Sequence, residues 1–224
     1  MTEETRFDRT AERYAAHSAE RDWEPFIAIC KPQPGDRTLD VGAGPGFLSG
    51  ALRDRVAEAV ALEPSQAMLS HAPEGVNGVV GSALDMPFAD ASFDLVTCVN
   101  SLHHLPDPHA ALREIARVLA PGGRFAIQDY LRHPDPVEAE RWDAIERVRD
   151  PGHGRLPAEG EVAEVLAPFG IVPAEQVERP SSWQTAAWND IAGLDPETAE
   201  HIHGLIGADS FTLRMWRARF ERTD

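Results

Sequence analysis

The chain has 224 residues, 42% of them apolar, with a net charge of −16 and a pI near 4.9. That length and apolar share suit one α/β domain with a sizeable core, while the excess of acid opposes general binding to nucleic acid or to an anionic membrane surface. No apolar run reaches the length of a membrane span, and the two cysteines, Cys30 and Cys98, lack metal-ligand spacing and read as buried free thiols.

The N-terminus, "MTEETRFDRTAERY", is charged and has no apolar signal region, which gives a cytoplasmic expectation. Residues 7–30 read as helical, with Trp23, Phe26, Ile27 and Cys30 at i, i+3, i+4 and i+7. "KPQPGD" breaks that pattern and "RTLDV" follows as a short apolar strand. A helix runs from Gly46 with Leu48, Leu52 and Val56 on one side. "AVAL" is a second strand ending at Glu63, and Ser65 caps a short helix containing Met68 and Leu69. "NGVVGSA" holds a third strand. "SFDLVTCVN" is a fourth, apolar almost throughout, as a strand buried on both faces is. "DPHAALREIARVLAPGG" is a helix capped by Asp107, with Pro108 in its first turn and Gly122 and Gly123 as its stop. "RFAIQDYL" is a fifth strand.

Strand and helix thus alternate up to Leu131, which implies right-handed crossovers and a parallel sheet covered on both faces. Ligands of such sheets bind at the carboxyl ends of the strands, here residues 42–46, 63–64, 82–84, 100–104 and 129–130. The rhythm then changes. A helix is expected over 136–149, a loop at "RDPGHGRLP", a helix near 159–168 ending at Gly170, and a sixth strand at "IVPAEQVER". "PSSWQTAAWND" is ambiguous. A helix near 196–206 starts with an Asp195-Pro196 cap signal, and "SFTLRMWRARF" reads as a last, antiparallel strand.

In "DVGAGPG" a turn follows a strand and opens a helix. Glycines permit the tight turn and remove Cβ atoms that would block a ligand, and a helix start presents free N–H groups. Glu63 ends the second strand about 20 residues on, the spacing of a carboxylate that grips ribose hydroxyls. Strand, turn, helix and acid in this order point to a nucleoside-containing cofactor; the plainer alternative is a tight turn with an incidental glutamate. A dinucleotide fold shows G-x-G-x-x-G. Here Phe47 stands at the last glycine's place, and Gly46 comes one residue early.

This G-x-G-x-G form resembles motif I of the class I methyltransferases, which bind S-adenosylmethionine (SAM). "GSALDMPFADASFDLVTCVNSLHHLPDPHAALREIARVLAPGGRFAIQDY" resembles the domain shared by ubiquinone/menaquinone-biosynthesis methyltransferases and many small-molecule methyltransferases. The resemblance covers residues 35–131 and continues loosely through "RVRDPGHGR" and "LAPFGI". It implies a Rossmann-like α/β fold, with a mostly parallel seven-stranded sheet and helices on both faces. One domain is expected over 1–224: a helical lid over 1–34, a SAM-binding core over 35–131, an insertion over 132–160 beside the acceptor, and the rest of the sheet with a cap over 161–224. A small-molecule acceptor, no nucleic acid, no metal, S-adenosylhomocysteine as product and a monomer or homodimer complete the expectation.

The same resemblance implies roles for single residues. Gly42, Ala43 and Gly44 lie under the methionyl part of SAM, and Asp40 supports its amino group. Glu63 takes both ribose hydroxyls, while Pro64 and Met68 pack near the adenine. Asn100 and Ser101 contact the methionyl end, Leu102 and Leu105 are apolar walls, and Tyr14 closes over the cofactor. The family's Asp-Ala after the third strand is here Ser82-Ala83, followed by Leu84, so the adenine amino group loses a charge-assisted acceptor.

Methyl transfer is an in-line displacement at a sulfonium carbon, catalysed largely by positioning; an oxygen or nitrogen acceptor can also use a base. "SLHHLPD" puts His103 and His104 just past the fourth strand, and Asp129 ends the fifth. A histidine oriented by an aspartate is a general-base arrangement, and sugar O-methyltransferases with a similar "LHH…D" pattern are thought to use it so. The expectation is O-methylation with His103 as base and Asp129 as its orienter. The alternatives are C- or N-methylation without a protein base, a nicotinamide-dependent oxidoreductase, or a non-catalytic SAM-binding module. His153 and Arg149 lie in the variable region where the family builds its acceptor sites, and read either as acceptor-site residues or, more plainly, as ordinary polar loop residues. Trp142, Trp183 and Trp188 read either as an acceptor pocket or as core of the cap.

Overall fold

Apolar strands joined through helices close their hydrogen bonds as a parallel sheet shielded on both faces. The computed structural model, which describes residues 6–223, has that arrangement; the first five residues of the expected lid lie outside the described residues. Strands β1 (Arg37–Val41), β2 (Glu58–Glu63), β3 (Asn77–Val80), β4 (Phe93–Val99) and β5 (Leu119–Leu131) pair in parallel. Strands β6 (Ile171–Gln184) and β7 (Ser210–Arg222) join antiparallel. The order is β3-β2-β1-β4-β5-β7-β6, the mostly parallel seven-stranded sheet that was expected. Strand order reverses between β1 and β4, so their carboxyl ends, where Val41 pairs with Cys98, open the ligand crevice.

The helices are α1 (Arg6–Ala19), α2 (Glu24–Cys30), α3 (Phe47–Leu52), α4 (Gln66–Leu69), α5 (Pro108–Val118), α6 (Pro136–Arg149), α7 (Glu161–Leu166), α8 (Thr185–Ile191) and α9 (Pro196–Ile206). Their starts follow sequence chemistry. Asp107 Oδ1 accepts from Ala110 N at 2.8 Å, Asp195 Oδ1 from Thr198 N at 2.9 Å, and Ser65 Oγ from Met68 N at 3.0 Å. One face of the sheet packs Val96, Phe125 and Ile127 against Leu112 and Ile115 of α5. The other packs Leu95 and Ala126 against Phe26 and Ile27 of α2 and Leu48 and Leu52 of α3. A separate cluster of Ile145, Trp188 and Ile202 ties α6, α8 and α9 together. Both cysteines are buried free thiols. Among the described residues no helix is long and apolar enough to cross a membrane.

Three expectations change and one ambiguity is resolved. The single helix over 7–30 divides at residues 20–23, because Pro25 has no N–H to continue a helix and sits in the first turn of α2. Val56 lies beyond α3, which ends at Leu52 and runs into a 3₁₀ turn, Arg53–Arg55. Helix α5 stops at Val118, ahead of the glycines: Leu119 already pairs with Phe93 and Arg124 with Leu95, so residues 120–123 form a bulge in which Gly122 takes φ 71°. The ambiguous "PSSWQTAAWND" splits between the end of β6 and α8.

Leu39, at the middle of β1, is fully buried. Leu39→Ala should cost about 3 kcal/mol and lower Tm by several degrees while the helix content seen by circular dichroism is kept; an unchanged Tm would contradict this packing.

Candidate active site

The turn after β1 is built from two glycines with different constraints. Gly42 has φ 64°, and a Cβ on it would lie 1.9 Å from Ser101 Oγ, so the segment after β4 occupies the space that a side chain would need. Gly44 has φ 54°, and its Cβ would meet nothing within 4 Å. The turn is tied to β2 by Gly42 N and Ala43 N, which donate to the Leu62 carbonyl at 2.9 and 3.1 Å. It is also tied through Glu63, whose Oε2 accepts from Gly44 N and Oε1 from Ser65 N, each at 3.0 Å.

Beneath the turn, Asp40 is buried and accepts from Thr97 Oγ1 at 2.8 Å and Ser49 Oγ at 3.2 Å. Burial pushes its carboxyl up to about 7 against those two hydrogen bonds, and the charge of Glu63 adds to the rise. Asn100 takes φ 49°, a left-handed conformation that asparagine tolerates. It is pinned there by its N–H to the Gln128 carbonyl at 2.7 Å and by Gln128 Nε2 to its Oδ1 at 3.3 Å. Ser82 Oγ accepts from Leu84 N at 3.1 Å.

All these groups face one cavity of about 390 Å³. Every cofactor candidate expected from the sequence lines it except Leu102, which is a correction: that side chain is buried in the core cluster with Leu112, and Leu105 forms the wall instead. His103 lines the cavity and Asp129 stands behind it, fully buried. His103 Nδ1 lies 2.6 Å from Asp129 Oδ1, which also accepts from Tyr130 N at 2.8 Å. Burial alone would lower the pKa of His103, but the charge and hydrogen bond of Asp129, helped by Glu146, outweigh it and raise it above its ordinary value. With Nδ1–H donated to Asp129, the neutral ring keeps its lone pair on Nε2.

Trp183 and Trp188 line the cavity, whereas Trp142 packs on Phe211, ring centroids 5.1 Å apart. Arg149 lines it as well. His153 does not; its side chain is fully buried and its Nε2 lies 3.2 Å from Asp143 Oδ1, so it is no ordinary loop residue. The sequence reading missed Arg21, His17 and Glu146, all in the lining. Arg21 stacks its guanidinium on Trp23 at 4.4 Å, and that side chain has no hydrogen-bond or ion-pair partner among the described residues. No motif sets these three apart from solvated helix-face residues.

The family model for the methyltransferase domain matches residues 39–127. The uncharacterized methyltransferase YcgJ of Bacillus subtilis is 35% identical over 180 residues, covering 75% of this chain and 70% of that protein. The chain belongs to the class I SAM-dependent methyltransferases. The 27-O-demethylrifamycin SV methyltransferase of Amycolatopsis mediterranei is 34% identical over 201 residues, covering 83% of this chain and 71% of the relative. The solved structure of YcgJ superposes with a TM-score of 0.81 at 25% identity, covering 93% of this chain and 99% of that one. A geranyl diphosphate methyltransferase in complex with SAM shares the fold, with a TM-score of 0.65 at 18% identity over 93% of this methyltransferase and 85% of that chain. Family membership sets aside the nicotinamide-dependent alternative.

Two measurements check this geometry. Gly42→Ala should lose about 2 kcal/mol or more of stability, and Gly44→Ala, strained only by its φ, about 1 kcal/mol; equal losses in urea titrations would refute the Ser101 contact. Asp40 has a folded pKa above its unfolded value, so the unfolded state loses the proton first. The part of the free protein's stability that depends on Asp40 should therefore fall by about 4 kcal/mol as pH rises from about 4 to about 7. Asp40→Asn should remove that part of the slope, read by denaturation across pH.

Proposed function

We propose that this methyltransferase transfers a methyl group to an oxygen of a small-molecule acceptor, with His103 as general base and Asp129 as its orienter. The observation that carries the reading is the 2.6 Å His103–Asp129 pair, with the histidine at the cavity wall and the aspartate fully buried behind it.

The donor set fits SAM. Asp40 and Glu63 supply acceptors for an ammonium group and two ribose hydroxyls, the partnerless Arg21 a cation for a carboxylate, and Gly44 a backbone stretch with no side chain over it. Bound SAM supplies a methyl group activated on a sulfonium sulfur. Asp40 then holds the methionyl ammonium, Arg21 the methionyl carboxylate, and Glu63 the ribose, with Gly42, Ala43, Asn100 and Ser101 along the methionyl chain. Pro64, Met68, Ala83 and Leu84 enclose the adenine. Ser82, already accepting from Leu84 N, offers it a neutral oxygen with one lone pair left. Tyr14, on α1, closes over the cofactor as part of the N-terminal helical lid, and the 132–160 insertion gives Glu146 and Arg149 to the acceptor wall.

At the acceptor, His103 Nε2 takes the hydroxyl proton while Nδ1–H stays on Asp129. The carboxylate fixes the tautomer and stabilises the imidazolium without itself taking the proton. The base works when neutral, and its pKa is raised, so kcat/KM should climb with pH through a pKa above 6.5. Asp129→Asn should move that limb to lower pH and cut kcat. His103→Ala should lower release of S-adenosylhomocysteine on a panel of hydroxylated acceptors by about 10²–10⁴-fold, with SAM affinity in calorimetry unchanged. Intact turnover in His103→Ala would sink the base assignment.

A further inference from the structure

Methyl transfer leaves one acidic side chain of the cavity idle. Glu146, on α6, lines the same cavity as His103, and its side chain is only 13% exposed. Its Oε2 accepts from Arg149 Nη1 at 3.2 Å. Arg149 is itself fixed: Nε and Nη2 donate to the Trp188 carbonyl at 3.2 and 3.0 Å, and the guanidinium lies 4.0 Å over the Trp188 ring. A stacked, doubly bonded guanidinium is a rigid support, so the Glu146 carboxylate is aimed. Its Oε1 has no hydrogen-bond partner among the described residues. At a mostly buried cavity wall, a fixed carboxylate oxygen with no protein donor is open to a donor from a ligand, in a charge-assisted hydrogen bond.

The surrounding wall is largely apolar. Tyr130 from β5, Trp183 from β6 and Trp188 from α8 bring three aromatic rings to it, joined by Leu105 and Ile191. Trp183 Nε1 donates to the Tyr130 hydroxyl at 3.2 Å, so two of these rings are fixed to each other. Aromatic walls favour a flat aromatic guest. The positive charge of Arg149 is already matched by Glu146, so the pair offers a hydrogen-bond acceptor and no free cation for an acid.

We propose that Glu146 is a specificity-determining residue, that it binds a second hydrogen-bond donor of the acceptor, and that the acceptor is an uncharged aromatic ring carrying a hydroxyl beside the one that is methylated. His103 takes the reacting hydroxyl and Glu146 Oε1 accepts from its neighbour. This rests on the reading of His103 as a base for oxygen. Phenols with one hydroxyl lose the second contact, and acids meet the Glu146 charge.

The test titrates the protein saturated with S-adenosylhomocysteine with three probes: 4-methylcatechol, 4-methylphenol and 3,4-dihydroxybenzoate. Calorimetry should show the catechol bound about tenfold or more tightly than the phenol, as one charge-assisted hydrogen bond implies, and the benzoate bound most weakly. Glu146→Leu should close the catechol–phenol gap to within about threefold. Glu146→Gln, which keeps the shape and the tie to Arg149, should retain part of the gap and admit the benzoate, with SAM affinity unchanged in both. Equal binding of catechol and phenol by the wild type, no catechol binding at all, or an undiminished gap in both variants would overturn the inference. His103→Ala separates the two readings: its intact turnover would overturn the base alone, whereas a missing gap beside an inactive His103→Ala would overturn Glu146 alone.

Discussion

Everything in the site depends on the parallel pairing of β1 with β4. That pairing places the turn after Val41 against the segment after Val99 closely enough for Ser101 Oγ to occupy the space of a Gly42 side chain. Two chain segments that leave a sheet side by side must share that space, and glycine is the residue that yields it. Once they interlock, the rest of the crevice has little freedom. The turn is tied to Glu63 on one side, and Asn100 is held in its left-handed conformation by Gln128 on the other.

A second constraint lies deeper. Three histidine–carboxylate pairs gather beside the cavity: His103 with Asp129 at 2.6 Å, His104 with Asp150 at 3.5 Å, and His153 with Asp143 at 3.2 Å. Asp143 also pairs with Arg132 at 3.0 Å. Buried charges persist where partners answer them. The loop that carries Asp150 and His153 is clamped to the His103 turn by Gly154 N, which donates to the His103 carbonyl at 2.9 Å. Residues 143–154 thus face two ways: Glu146 and Arg149 form cavity wall, and the loop beyond them supports the turn that carries His103.

The cofactor half of this site was legible because local chemistry makes it so. A strand, a glycine turn and an acid at fixed spacing are read along the chain, and the strand ends named the segments that meet at the crevice. Leu102 was misplaced because a 3₁₀ turn rotates its side chain into the core, and no composition signal marks that rotation. Glu146 was hidden, and the cavity role of Arg149 left open, for a different reason. They sit on a helix whose charges look solvated in one dimension, and they become wall only when α6 packs against α8 and α9.

The sequence by itself determined the alternating strands and helices and the crevice at their carboxyl ends, because these follow from periodicity and turn chemistry acting over neighbouring residues; the family and the His103–Asp129 pair came through the resemblance of its motifs. The tertiary structure alone decided what lines the rest of the cavity. Tyr130, Glu146, Trp183 and Trp188 come from four separate elements, and their meeting is fixed by long-range packing of the cap, which has no short-range signature in the chain.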